Sequence, residues 1–213
     1  MAWRGQVGDS GGVLPRLLQH LRKRYRPHAI LLYGSRARGA GNAESDWDLL
    51  LLRKSGRVRD VRNFEGLALD VFVESDAIAR RPATADLLRL RGARVLLDER
   101  GDARRLLRRV EALAKRGPPK LIKGEAAALR AWAWKMVARA KSGGAYADYR
   151  RAALLTELLP LSYELRRRFF PGPKRALAEL PAPLRKRWAT ALKPGAPMRA
   201  VEQLVRAVVG APR

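Results

Sequence analysis

Residues 31–52 read LLYGSRARGAGNAESDWDLLLL. Two apolar runs enclose a Gly-Ser turn and a polar loop that ends at Asp46-Trp47-Asp48. The pattern predicts a buried strand, a tight turn into a short helix, a loop and a second buried strand. Asp46 and Asp48 stand where that second strand begins, and residues two apart on a strand project to one face. Two like charges so close repel unless a cation lies between them. An all-oxygen site beside a phosphate suits Mg²⁺, which takes one or two carboxylates plus substrate oxygens. Gly34 allows the sharp turn, and Ser35 offers a hydroxyl and an amide at a helix start, where free N–H groups favour anions. One short stretch therefore places a phosphate cradle beside a pair of metal-ligating carboxylates.

Working outward, residues 1–11 read as a loose leader, and Leu14, Leu17, Leu18 and Leu21 give Val13–Tyr25 the spacing of a helix packed on the sheet. Pro27 stops that helix, and the first strand is expected over Ala29–Tyr33. A short helix begins at Ser35, and the second strand covers Trp47–Leu52. The segment VRDVRNFEG leaves room for a short helix or a hairpin at most. Asp70 stands alone in the next apolar run, LALDVFV. A carboxylate in a buried strand is costly unless it is paired or metal-bound. Asp70 is thus a third candidate acid, with an Arg pair as the alternative, and Glu74 and Asp76 rank behind it. Arg36 and Arg38 flank the short helix, and each is a candidate phosphate contact. Ser45 is expected to orient the loop by a local hydrogen bond. His20 and His28 stand without matching carboxylates and make a weak case as ligand or base. An edge strand over Ala93–Asp98 and a helix over Asp102–Lys115 complete this half.

The linker Arg116-Gly117-Pro118-Pro119 divides the chain into expected domains at 1–117 and 118–213. No strand pattern follows it. Helices are expected over 124–141, 146–170, 173–180, 183–192 and 198–209, with Pro160 kinking or splitting the long one. Lys174, just after a Gly-Pro turn, is a candidate contact for the triphosphate or the substrate.

Gly34-Ser35, a spacer of ten residues and Asp46-Trp47-Asp48 before an apolar strand resemble the signature of the polymerase-β-like nucleotidyltransferase superfamily. The fuller string GSRARG…SDWDL is similar to its minimal-nucleotidyltransferase branch, and the likeness covers roughly the first half of the chain. The resemblance implies an α+β fold, a mixed sheet with flanking helices, followed here by a C-terminal helical bundle. The short second-to-third-strand segment departs from the minimal branch and suggests the antibiotic-nucleotidyltransferase arrangement. The helical second half resembles the architecture of the kanamycin nucleotidyltransferase group. For the site, the resemblance implies Asp46, Asp48 and Asp70 as catalytic residues and metal ligands. The cofactor would be Mg²⁺, two ions, with Mn²⁺ as a substitute. An NTP, foremost ATP, would be held by Gly34 and Ser35, with Arg36, Arg38, Ser45 and Lys174 as further contacts. The implied reaction transfers NMP, foremost AMP, to the hydroxyl of a small molecule or protein and releases pyrophosphate. Two other readings stay open. One is an antitoxin-like or regulatory enzyme acting on a partner protein, and the other is nucleotide addition to an RNA terminus.

Composition bounds these readings. With 213 residues, 47% hydrophobic and 31% charged, the profile is that of a globular protein. The lack of cysteine excludes a disulfide framework, a thiol nucleophile and a zinc-thiolate site. No apolar run reaches the length of a membrane span, and the first residues lack a signal-peptide core, so a cytoplasmic enzyme is expected. The net charge of +25 attracts polyanions and admits RNA as a partner. Against that, the basic residues are spread along the chain without the aromatic interleaving of a single-strand platform. A second subunit completing the cleft, a homodimer, is a further expectation.

Overall fold

Ala29–Tyr33 has no charged side chain and forms β1 with all five residues buried, as a strand covered on both faces must be. It pairs antiparallel with β2, Trp47–Arg53, and with β5, Arg94–Asp98. The computed structural model describes residues 12–42 and 44–212, so the leader expected at 1–11 lies outside the described residues. β3, Val58–Phe64, and β4, Leu67–Ser75, complete a mixed sheet in the order β3-β4-β2-β1-β5, in which only β2 and β4 run parallel. The segment VRDVRNFEG resolves as a hairpin arm. Glu65 and Gly66 take positive φ values of 50° and 81° between the paired residues Phe64 and Leu67, a two-residue turn whose twist suits a hairpin.

Each face of the sheet is covered by apolar side chains. α1, Val13–Tyr25, lays Leu17 and Leu21 on Ile30, Leu32, Leu49 and Leu51. The opposite face, with Leu31, Leu50 and Leu52, is covered by the 3₁₀ turns Asp76–Ala79 and Ala85–Leu90 and by a helix over Asp102–Arg116. Tyr33 leads directly into α2, the single helical turn Gly34–Ala37, so the helix over Asp102–Arg116 is α3.

One compact unit ends at Arg116 and a second begins at Gly117. The second contains α4, Glu125–Ala140, α5, Gly144–Glu164, α6, Pro173–Glu179, α7, Ala182–Ala191, and α8, Met198–Val209. Its core gathers Leu154, Leu158, Trp188, Val201, Leu204 and Val205. Among the described residues no helix is long and apolar enough to cross a membrane.

Two expectations for α5 change. The helix runs on through Pro160 without splitting, and it closes at Glu164 instead of reaching Phe170. The closure is a Schellman pattern. Arg168 N–H donates to the Tyr163 carbonyl and Arg167 N–H to the Glu164 carbonyl, with Arg167 left-handed at φ 54°. Glycine usually marks that position, and here an arginine fills it.

Leu50 is fully buried at the centre of β2. Leu50→Ala is expected to cost about 2–5 kcal/mol, read as a lower urea midpoint for the first unit. An unchanged midpoint would contradict this core.

Candidate active site

Strand register assembles the site. Tyr33 pairs with Asp48, Asp48 with Asp70, and Asp70 with Val61. Paired residues on neighbouring strands share a face. The row Tyr33–Asp48–Asp70–Val61 thus crosses four strands on one side of the sheet. Asp46 lies in the loop one residue before β2, so strand alternation does not set its direction. Its charge nonetheless reaches Asp48. Burial, then the negative charges of Asp70 and Asp46, push the Asp48 carboxyl above its ordinary value, and Arg38 opposes them.

Gly34 touches the same carboxylate. Its φ is +74°, and a Cβ there would lie 1.9 Å from Asp48 Oδ2. Only glycine combines that left-handed backbone with so close an approach. The Gly34-Ser35 turn and Asp48 are therefore adjacent.

Asp70 is the acid with an unmet need. Its Oδ1 is buried and has no hydrogen-bond partner, while its Oδ2 lies 3.5 Å from Arg59 Nη2. An orphaned carboxylate oxygen beside two further carboxylates fits a divalent cation, so Asp46, Asp48 and Asp70 would hold one. Their oxygens do not all lie within 4.8 Å of one another, a span that among the described residues is met by His28, Asp76 and Asp102.

The loop is braced from within. Ser45 Oγ donates to Asn42 Oδ1 at 2.8 Å and accepts from Asn42 N–H at 3.0 Å. Arg36 Nε donates to the Ser45 carbonyl at 2.7 Å, and its guanidinium lies over the Trp47 ring, 5.3 Å from the centroid. Arg36 and Ser45 thus fix the segment that carries Asp46 and Asp48, whereas exposed Arg38 supplies charge at the acids. Lys174 is exposed at the second residue of α6, in the second unit. Glu74 pairs with Arg57 at 2.9 Å.

Three neighbours of the acids escaped sequence reasoning. Tyr33 is buried, and desolvation pushes its phenol up to about 12 against the opposing charge of Arg89. Arg89 lies over Tyr33 and Phe72, and Arg59 over Phe72, at 5.9, 5.2 and 5.0 Å. All three come together through cross-strand register and packing, which leave no spacing signal in the chain.

The reading of His28 as lacking carboxylates is corrected. Its Nε2 lies 3.1 Å from Asp102 Oδ2, with Asp76 alongside, and all three are buried. The residues are 74 positions apart in sequence, so pattern reading does not connect them. They occupy the other end of the sheet, where β1 begins and β4 ends. Arg80 and Arg100 pair with Asp76, and Arg105 with Asp102, so guanidinium groups already balance these carboxylates.

Residues 14–116 match the family model of the nucleotidyltransferase domain. Among solved structures, the crystal structure of a nucleotidyltransferase-like protein from Exiguobacterium sibiricum 255-15 is similar, with a TM-score of 0.44 and 13% identity. The match covers 91% of this chain and 77% of that one. No curated protein matches the sequence.

Gly34→Ala is expected to displace Asp48 and to lower any transfer activity by about 10²-fold, the usual cost of a misplacement near 1 Å. A crystal structure of the variant with Asp48 unmoved would contradict this coupling.

Proposed function

Starting from a chain that carries a nucleotidyltransferase domain over residues 14–116, we propose that it transfers a nucleoside monophosphate, AMP foremost, from an NTP to a hydroxyl acceptor. The observation that carries this reading is the row Asp48–Asp70 beside the Gly34-Ser35 turn, with Asp70 Oδ1 left unpaired. Divalent cations, Mg²⁺ foremost, held by Asp46, Asp48 and Asp70 would supply Lewis-acid stabilisation of the phosphoryl charge.

The chain's own residues orient the reactants. The N–H groups and the Ser35 hydroxyl at the Gly34-Ser35 turn hold the β- and γ-phosphates, and Arg38 adds positive charge beside them. The acceptor oxygen bonds to the α-phosphorus, the bridging P–O bond to the β-phosphate breaks, and pyrophosphate leaves with the electron pair. The acceptor's proton passes to Asp70. Positioning and charge do most of the work in such chemistry. We assign acceptor recognition to the helical unit, with Lys174 as one of its contacts, and the acceptor to the class of small-molecule or protein hydroxyls.

Labelled NTPs incubated with acceptor panels (aminoglycosides, proteins and tRNA) test the reading. Wild type should transfer label and Asp48→Asn should fall to background. Full transfer by the variant would sink the assignment.

The same variant has a stability signature. The Asp48 carboxyl is raised in the fold, so the folded state holds this proton more tightly than the unfolded chain. Keeping Asp48 ionised therefore costs stability above its folded pKa, and the cost vanishes as pH falls below the ordinary carboxylate value. Asp48→Asn should raise Tm at neutral pH in EDTA and lose that advantage near pH 3. A lower Tm at neutral pH would contradict the crowded-charge account.

A further inference from the structure

Arg59 is placed where a cation is needed. It lies on β3, an edge strand, and its guanidinium reaches across to Asp70 Oδ2 at 3.5 Å. The arginine side chain is 65% exposed and the aspartate side chain 24% exposed. Such a pair is weak, because a long exposed side chain is costly to hold in place and solvent screens its charge. It is also the single ion pair recorded for any of the three candidate acids among the described residues. The same guanidinium lies 5.0 Å from the centroid of the Phe72 ring, whose face attracts a cation whether or not Asp70 is engaged. Arg89 shares that ring at 5.2 Å, but its ion pair is with Asp86.

A weak pair on a carboxylate with a second, unpaired oxygen is readily displaced by a doubly charged ion. Resting on the nucleotidyl-transfer reading above, we propose that Arg59 is the resident counter-ion of the acid row. It neutralises Asp70 until a divalent cation takes the carboxylate, then rests on Phe72, and so sets the cation concentration the site requires. Arg59 is a positioning residue in this scheme, because it acts through Asp70.

Mn²⁺ binding to the full chain, followed by the loss of the free-ion EPR signal, tests the proposal without any activity assay. Arg59→Gln should bind Mn²⁺ about three- to fivefold more tightly than wild type, the upper part of the range that loss of a weak competing pair allows. Arg89→Gln, which removes an equal charge from the same ring, should stay within about twofold of wild type. In EDTA, Arg59→Gln should also melt below wild type, and Mn²⁺ should raise its Tm further than it raises that of wild type. Equal tightening in both variants would show a general field effect and overturn the proposal. Unchanged or weaker binding by Arg59→Gln would overturn it while leaving the nucleotidyl-transfer reading intact. A wild type that binds no Mn²⁺ would overturn both.

Discussion

The contact between the Gly34 backbone and the Asp48 carboxylate constrains the whole first unit. A Cβ at position 34 would sit 1.9 Å from Asp48 Oδ2, so the turn after β1 and the start of β2 are fitted to each other at atomic distance. That fit requires β1 and β2 to pair in one register, Tyr33 opposite Asp48, because a slip of one residue would send Asp48 to the α1 face. The buried leucines on both faces of the two strands enforce that register. Leu31 and Leu50 must meet the cover that includes α3, and Ile30 and Leu49 must meet α1. Core packing thereby places the Gly34-Ser35 turn against an acid.

The two ends of the sheet handle charge differently. At one end His28, Asp76 and Asp102 are buried, and arginines pair with both carboxylates. Such a cluster is satisfied from within the fold. At the other end burial and the charges of Asp70 and Asp46 raise the proton affinity of Asp48, and one buried oxygen of Asp70 has no partner. A fold tolerates that expense where a ligand supplies the missing charge. The unfavourable end carries the Gly-Ser turn, and the favourable end does not.

Much of this was legible in the chain. Gly34, Ser35, Asp48 and Asp70 are visible because a turn residue, a helix start and a carboxylate inside an apolar strand each have a local sequence mark. The strands around them follow from short apolar runs. Arg59, Arg89 and Tyr33 are not legible, because they reach the acids through the β3–β4 register, the packing of the Ala85–Leu90 turn and the β1–β2 register respectively. Arg36 reads as a phosphate contact by position, and its packing on Trp47 and its bond to the Ser45 carbonyl leave no mark in the sequence. The end of α5 was obscured because Arg167 occupies the left-handed cap position that glycine normally marks. His28 and Asp102 meet only because β1 and α3 pack together.

The most direct measurement is anomalous diffraction from crystals grown with Mn²⁺ and a non-hydrolysable NTP analogue. The account requires manganese peaks among the Asp46, Asp48 and Asp70 carboxylates, with the analogue's phosphates against the Gly34-Ser35 turn. Manganese bound instead by His28, Asp76 and Asp102, or phosphates seated away from Gly34, would contradict it.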